Sequence, residues 1–137
     1  MNTALQGKFA LLSVPFICLF IFSGCHRKTM EETAPAYKFS AQELFKEFNA
    51  EEAADKKYVG QILEVSGVVD KTGTDVADRP FVDLESGSAL GAVQCFFGDK
   101  YKDEAAKLVK GRKVTFRGKT LSKIMHVTLD ECIIIAK

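Results

Sequence analysis

Tryptophan is absent from this chain of 137 residues, histidine occurs twice and proline three times. So little proline excludes a polyproline or collagen-like chain. The two histidines, His26 and His126, have no Cys, His or acid at a metal-ligand spacing, so no metal site is expected. His126 reads as an exposed residue on the last strand. A P-loop, a glycine-rich dinucleotide turn and a nucleophile elbow are all lacking. Glu51, Glu52 and Asp55 fall on the polar face of an expected helix. Asp130 and Glu131 are adjacent, so a regular strand would send them to opposite faces. The expectation is a non-enzymatic protein with no catalytic residue and no cofactor.

Long apolar runs are also missing. Residues 9–22 form an uncharged stretch of 14 residues, short of the roughly 20 a spanning helix requires and suited to a signal-peptide core. Lys8 precedes the stretch, Pro15 interrupts it, and Ser23-Gly24-Cys25 closes it. That ending resembles the lipobox of bacterial lipoproteins, with Phe22 where leucine is usual. It implies a signal peptide over residues 1–24, removed to leave Cys25 as the lipidated first residue. Two or more acyl chains, such as palmitate, anchor a protein stably where one does so only marginally. The expected location is the cell envelope, membrane-anchored and facing the periplasm or the exterior.

An excess charge of either sign is lacking too. Without residues 1–24 the chain loses Lys8 and no acid, leaving 18 basic and 18 acidic residues. Zero net charge is poor support for general nucleic-acid binding, which rests on phosphate neutralisation. Of the four cysteines, Cys18 leaves with the signal and Cys25 is consumed by lipid. Cys95 and Cys132 remain, and outside the cytoplasm they form either a disulfide or two buried free thiols. Strand order would bring the two face to face.

What is present is a pattern of elements. Residues 25–39 comprise Cys25 and a mixed-charge stretch without apolar period, read as a flexible tether. A folded domain over 40–137 begins with S-A-Q-E-L-F-K-E-F-N, where Ser40 and Glu43 have capping-box spacing and Ala41, Leu44, Phe45 and Phe48 share a helical face. A second helical turn or two follows Asn49 and ends near Lys57. Alternation then takes over: Leu63, Val65, Gly67 and Val69 lie on one face, with Gly67 marking a bulge or bend. A turn-rich loop over 71–80 leads into a hairpin built from F-V-D-L-E and L-G-A-V-Q-C-F-F. Residues 100–110 return to a helical period, with Gly111 as its C-cap. R-K-V-T-F-R-G-K and a last strand over 125–135 complete the set. Three strands, a helix and two strands are the order of a mainly β, five-stranded Greek-key OB barrel, here preceded by a short helical segment.

The run from residue 40 to 135 resembles the tRNA_anti-like group of small bacterial OB-fold proteins, many of them lipoproteins. The matching pieces are S-A-Q-E-L-F, N-A-E-E-A-A-D-K-K-Y-V-G-Q-I-L-E-V-S-G-V-V, V-Q-C-F-F, L-V-K-G-R-K-V-T-F-R-G-K and D-E-C-I-I. They are structural motifs. The resemblance implies kinship in shape with the anticodon-binding barrel of tRNA ligases and brings no catalytic set.

Charge is unevenly spread. Residues 40–99 carry 5 basic and 12 acidic residues, whereas 100–137 carry 10 and 4. Lys110, Arg112, Lys113, Arg117, Lys119 and Lys123 gather around the fourth barrel strand, a candidate basic patch. OB ligands usually lie across the second and third strands and the flanking loops. There Asp75, Asp78, Asp83 and Glu85 would repel phosphate, with Lys71, Arg79 and Lys123 in partial compensation. Phe81 and Phe96 would project outward on the same surface, able to stack bases or to pack on a partner. The candidate ligand-binding residues are therefore Phe81, Phe96, Arg117, Lys119 and Lys123. The expected function is binding of an envelope protein, peptide or small ligand; the alternative is oligonucleotide binding through the barrel and its basic fourth strand.

Overall fold

The computed structural model describes residues 27–137. The expected signal peptide over residues 1–24 and the expected lipidation site, Cys25, lie outside the described residues. The elements run β1 (Tyr37–Ser40), α1 (Ala41–Ala50), α2 (Ala54–Tyr58), β2 (Ile62–Thr74), β3 (Pro80–Leu84), β4 (Val93–Phe97), α3 (Lys102–Ala106), β5 (Lys113–Lys123) and β6 (Val127–Ala136). The sheet order is β1-β2-β3-β4-β6-β5, and a β2–β5 pairing closes the last five strands into a barrel. This is the expected OB architecture.

The barrel closes because β2 is long enough to serve two neighbours. Its first half pairs antiparallel with β5, from Ile62 opposite Lys119 to Val68 opposite Lys113. Its second half pairs with β3, after a register shift between Val69 and Lys71. The bulge thus lies beyond Gly67. Gly67 is needed instead for close packing: a Cβ there would stand 3.0 Å from Ala41 Cβ and 3.3 Å from Leu84 Cβ. β1 pairs in parallel with residues Leu63 to Ser66 of β2, along the edge that the shorter β3 leaves uncovered.

Strand alternation fills the interior. Leu63, Val65, Val69, Val82, Leu84, Val93, Cys95, Phe116, Val127 and Leu129 are all fully buried. Helix α1 lays Ala41, Leu44, Phe45 and Phe48 on this core. Its start is fixed as the sequence predicts: the Glu43 N–H donates to Ser40 Oγ at 3.1 Å and the Ser40 N–H to Glu43 Oε2 at 2.9 Å. Tyr58 ends α2 with its ring buried against Phe39 and Phe48 and its hydroxyl donating to Glu47.

Several expectations are corrected. The second helix starts later than expected after Asn49, which lies within α1: α2 begins only at Ala54, without a side-chain cap. Helix α3 spans only five residues, so Gly111 serves a later turn, at φ 90° with its N–H donated to the Val69 carbonyl. His126 precedes β6 in a bend, where its Nδ1 accepts from the Ala92 N–H at 3.0 Å.

The stretch expected to be a tether is largely docked. Besides β1, residues 29–33 form a turn closed by Thr33 N–H to the Thr29 carbonyl at 3.1 Å. Three distant side chains hold it. Lys100 and Tyr101 both donate to the Glu31 carboxylate, and Arg117 donates to the Glu31 and Thr33 carbonyls at 3.3 and 3.1 Å.

Candidate binding face

Alternation sends the odd residues of β3 and the even residues of β4 outward, and the antiparallel register sets Phe81 directly opposite Phe96. The rings meet at 5.9 Å between centroids with planes tilted by 59°. Both are half-buried. Arg79 lies over Phe96 at 4.6 Å and Lys71 over Phe81 at 5.7 Å, so each ring carries a cation. The Phe81 ring can reach over β2 because its cross-strand neighbour is Gly73, where a Cβ would stand 2.9 Å from the ring's Cζ.

The loop joining β2 to β3 presets Arg79. Asp75 Oδ1 accepts from the backbone N–H of Ala77 and of Arg79, both at 2.9 Å, while Oδ2 holds the Arg79 Nε at 2.9 Å. Those bonds, led by the Arg79 backbone N–H, keep the Asp75 carboxyl below its usual range. Asp130 adds a second carboxylate at 3.6 Å from Arg79. The cation over Phe96 is therefore already neutralised.

Next to the ring pair, Asp83 faces Lys71 on β2 and Gln94 on β4. It is 7% exposed and its Oδ1 has no hydrogen-bond partner among the described residues. Burial pushes its carboxyl up, against a hydrogen bond from Gln94 and the charges of His126 and Lys71. No hydrogen bond or ion pair joins His126 to Asp130 or Glu131 among the described residues. Nor do those residues contain a group of three or more side chains suited to a metal.

The remaining candidates do not assemble. Arg117 is 15% exposed and pairs with Glu64 at 2.9 Å, while Glu64 also meets Lys38 at 3.2 Å. It clasps the N-terminal segment and is not available to a ligand. Lys123 donates to Asn49 and covers the Phe45 ring. Lys110 is taken by Asp70 at 2.8 Å. Lys119 is exposed, on the outer face of β5. Lys113 and Lys123 stand at opposite ends of the eleven-residue β5, separated by about 30 Å of strand. The basic cluster is thus dispersed by strand geometry and by ion pairing.

Cys95 and Cys132 are both buried and free. Burial first, then a hydrogen bond with Cys95, pushes the Cys132 thiol well above its usual range. Gly118 makes room for this arrangement, since a Cβ there would overlap the Cys132 sulfur at 2.4 Å.

The tRNA_anti-like family model matches residues 14–133. The chain belongs to the tRNA_anti-like family. Among solved structures, this tRNA_anti-like protein is similar to one from Klebsiella pneumoniae subsp. pneumoniae that is provisionally named a nucleic acid-binding lipoprotein. The match has a TM-score of 0.57 and 17% identity, covering 71% of this chain and 90% of the other. An OBody bound to hen egg-white lysozyme matches at a TM-score of 0.45 and 20% identity, over 59% of this chain and 87% of its own. Asparaginyl-tRNA synthetase from Pyrococcus horikoshii matches at 0.44 and 18%, over 58% of this chain and 21% of its own. Identities this low speak to the shared fold alone. No curated protein matches the tRNA_anti-like chain.

Proposed function

We propose that this chain is a membrane-anchored lipoprotein of the cell envelope whose barrel is a non-enzymatic binding module, taking a protein or peptide across β3 and β4. The observation that carries the reading is the outward Phe81–Phe96 pair, whose rings offer apolar area while the nearest guanidinium is held by Asp75 and Asp130. Phosphate would meet a face with few free cations and a buried carboxylate beside it. A protein surface needs only apolar contact and a polar rim, which aromatic and Arg side chains supply well. The expectation of a lipid anchor at Cys25 rests on the sequence of residues 8–25.

The test uses the full-length protein in its membrane. Photo-crosslinking from Gln94, beside the ring pair, should capture a defined envelope partner, and Phe81→Ala with Phe96→Ala should abolish the crosslink while leaving the fold intact. A crosslink unchanged by the double substitution would remove the face from consideration.

Oligonucleotide binding is the second reading, favoured by the two cations over the two rings. It requires single-stranded binding at low salt that fades with added salt and is lost in the same double variant. That result would displace the protein-partner reading.

A further inference from the structure

We infer that the outer face of β5 lies on the anionic headgroup surface of the membrane, so that the Phe81–Phe96 face looks away from the bilayer. This rests on the reading of Cys25 as the lipidated residue.

The first support is the length of chain left between anchor and barrel. Only residues 26–28 separate Cys25 from Thr29, whose N–H already donates to Glu32 Oε2 at 3.1 Å and whose carbonyl closes the docked turn. Four residue steps extend to about 14 Å at most. A domain of this size is roughly 30 Å across, so the anchor cannot pass around the barrel to its other side.

The second support is where that turn sits. Arg117 projects outward from β5 and grips residues 31 and 33. In the closed ring β5 pairs with β2 and β6 only, whereas Phe81 and Phe96 stand on the outer faces of β3 and β4, the two strands with which β5 does not pair. The clasped side and the aromatic side are therefore opposite sides of the barrel.

Charge provides the third support. Lys113 and Lys119 point outward from β5 and are exposed, as are Arg27 and Lys28 on the incoming chain. None of the four has an ion-pair partner among the described residues. Lys119 stands opposite Asp130 in register, but the Asp130 carboxylate turns to Arg79. Unpaired Lys and Arg beside a lipid anchor are attracted to acidic headgroups. On the aromatic face, Arg79 is compensated by two carboxylates.

The experiment reconstitutes the full-length lipidated protein in vesicles of phosphatidylethanolamine and phosphatidylglycerol. A dye is attached through Leu121→Cys on β5 or through Val76→Cys in the β2–β3 loop, both positions being exposed. A headgroup-labelled lipid quencher should quench the dye on β5 several-fold more than the dye in the loop. Lys113→Glu with Lys119→Glu should erase that difference while the protein still sediments with the vesicles. Protein that stays in the supernatant, or a Cys25→Ser variant that sediments equally well, would overturn the anchor reading and this inference with it. Anchored protein with equal quenching at the two positions, or a difference that survives charge reversal, would overturn this inference alone.

Discussion

The two sides of the barrel use the same residue types to opposite ends. On β3 and β4, two aromatic rings are left half-open, and the guanidinium over one of them, Arg79, is held in place by acids of the neighbouring loop and strand. On β5, a guanidinium is withdrawn from solvent by Glu64 and by two carbonyls of the docked N-terminal segment. An arginine over a ring at the rim prepares a surface for contact. An arginine beneath a chain segment closes a surface. The same barrel thus has a presented side and a covered one, and composition alone does not tell them apart.

The strongest way to break this contrast is at Arg117. Arg117→Ala would leave Glu64 largely buried with only the exposed Lys38 for company and would free the two carbonyls. The expected cost is about 2 to 3 kcal/mol in urea unfolding, since removing one partner of a buried pair is far more costly than the pair is worth. On the presented side, Phe81→Ala should cost about 1 kcal/mol, the scale of an aromatic pair, while removing partner binding. If Phe81→Ala proved the more destabilising of the two, the ring pair would be part of the core and the proposed division of roles would fall.

Legibility from sequence follows the range of the interaction. The capping box at Ser40 and Glu43 is local, so three residues suffice to read it. The outward placement of Phe81 and Phe96 follows from period two, and the strand order from the succession of patterns. The docked segment was not legible. Its mixed charges and lack of period describe a tether, and the groups that hold it come from 69 to 86 residues downstream. The same distance effect misplaced Arg117, Lys110 and Lys123, whose acid or amide partners are long-range. Asp83 reads from sequence as a surface acid because alternation points it outward, yet neighbours on both flanking strands bury it.

Asp83 sharpens the comparison at intermediate cost. Burial raises its carboxyl, so the folded chain keeps this proton to higher pH than the unfolded chain does. Stability must then fall as pH rises from the usual aspartate range through the raised value. Asp83→Asn cannot ionise and should be more stable than the parent at pH 7, by on the order of 1 kcal/mol, with the gain vanishing below about pH 4. Urea midpoints at the two pH values measure this. The absence of a gain at neutral pH would mean that Gln94 and Lys71 hold the anion well enough to make the presented side as settled as the covered one.

Glu31 probes the covered side with the smallest expected change in stability. Hydrogen bonds from Lys100 first and Tyr101 second lower its carboxyl to about 2. A lowered carboxyl supports the clasp above its unfolded value and loses that support as pH falls toward the folded one. The clasp should therefore be intact at neutral pH and open between about pH 4 and pH 2. Glu31→Gln should show the open state at pH 7, as faster amide exchange of the Thr33 N–H, with the barrel amides of β2 and β5 unchanged and the melting temperature hardly moved. Retention of the slow Thr33 amide in this variant would leave Arg117 as the sufficient clasp, because its two bonds are to carbonyls that Glu31→Gln does not alter.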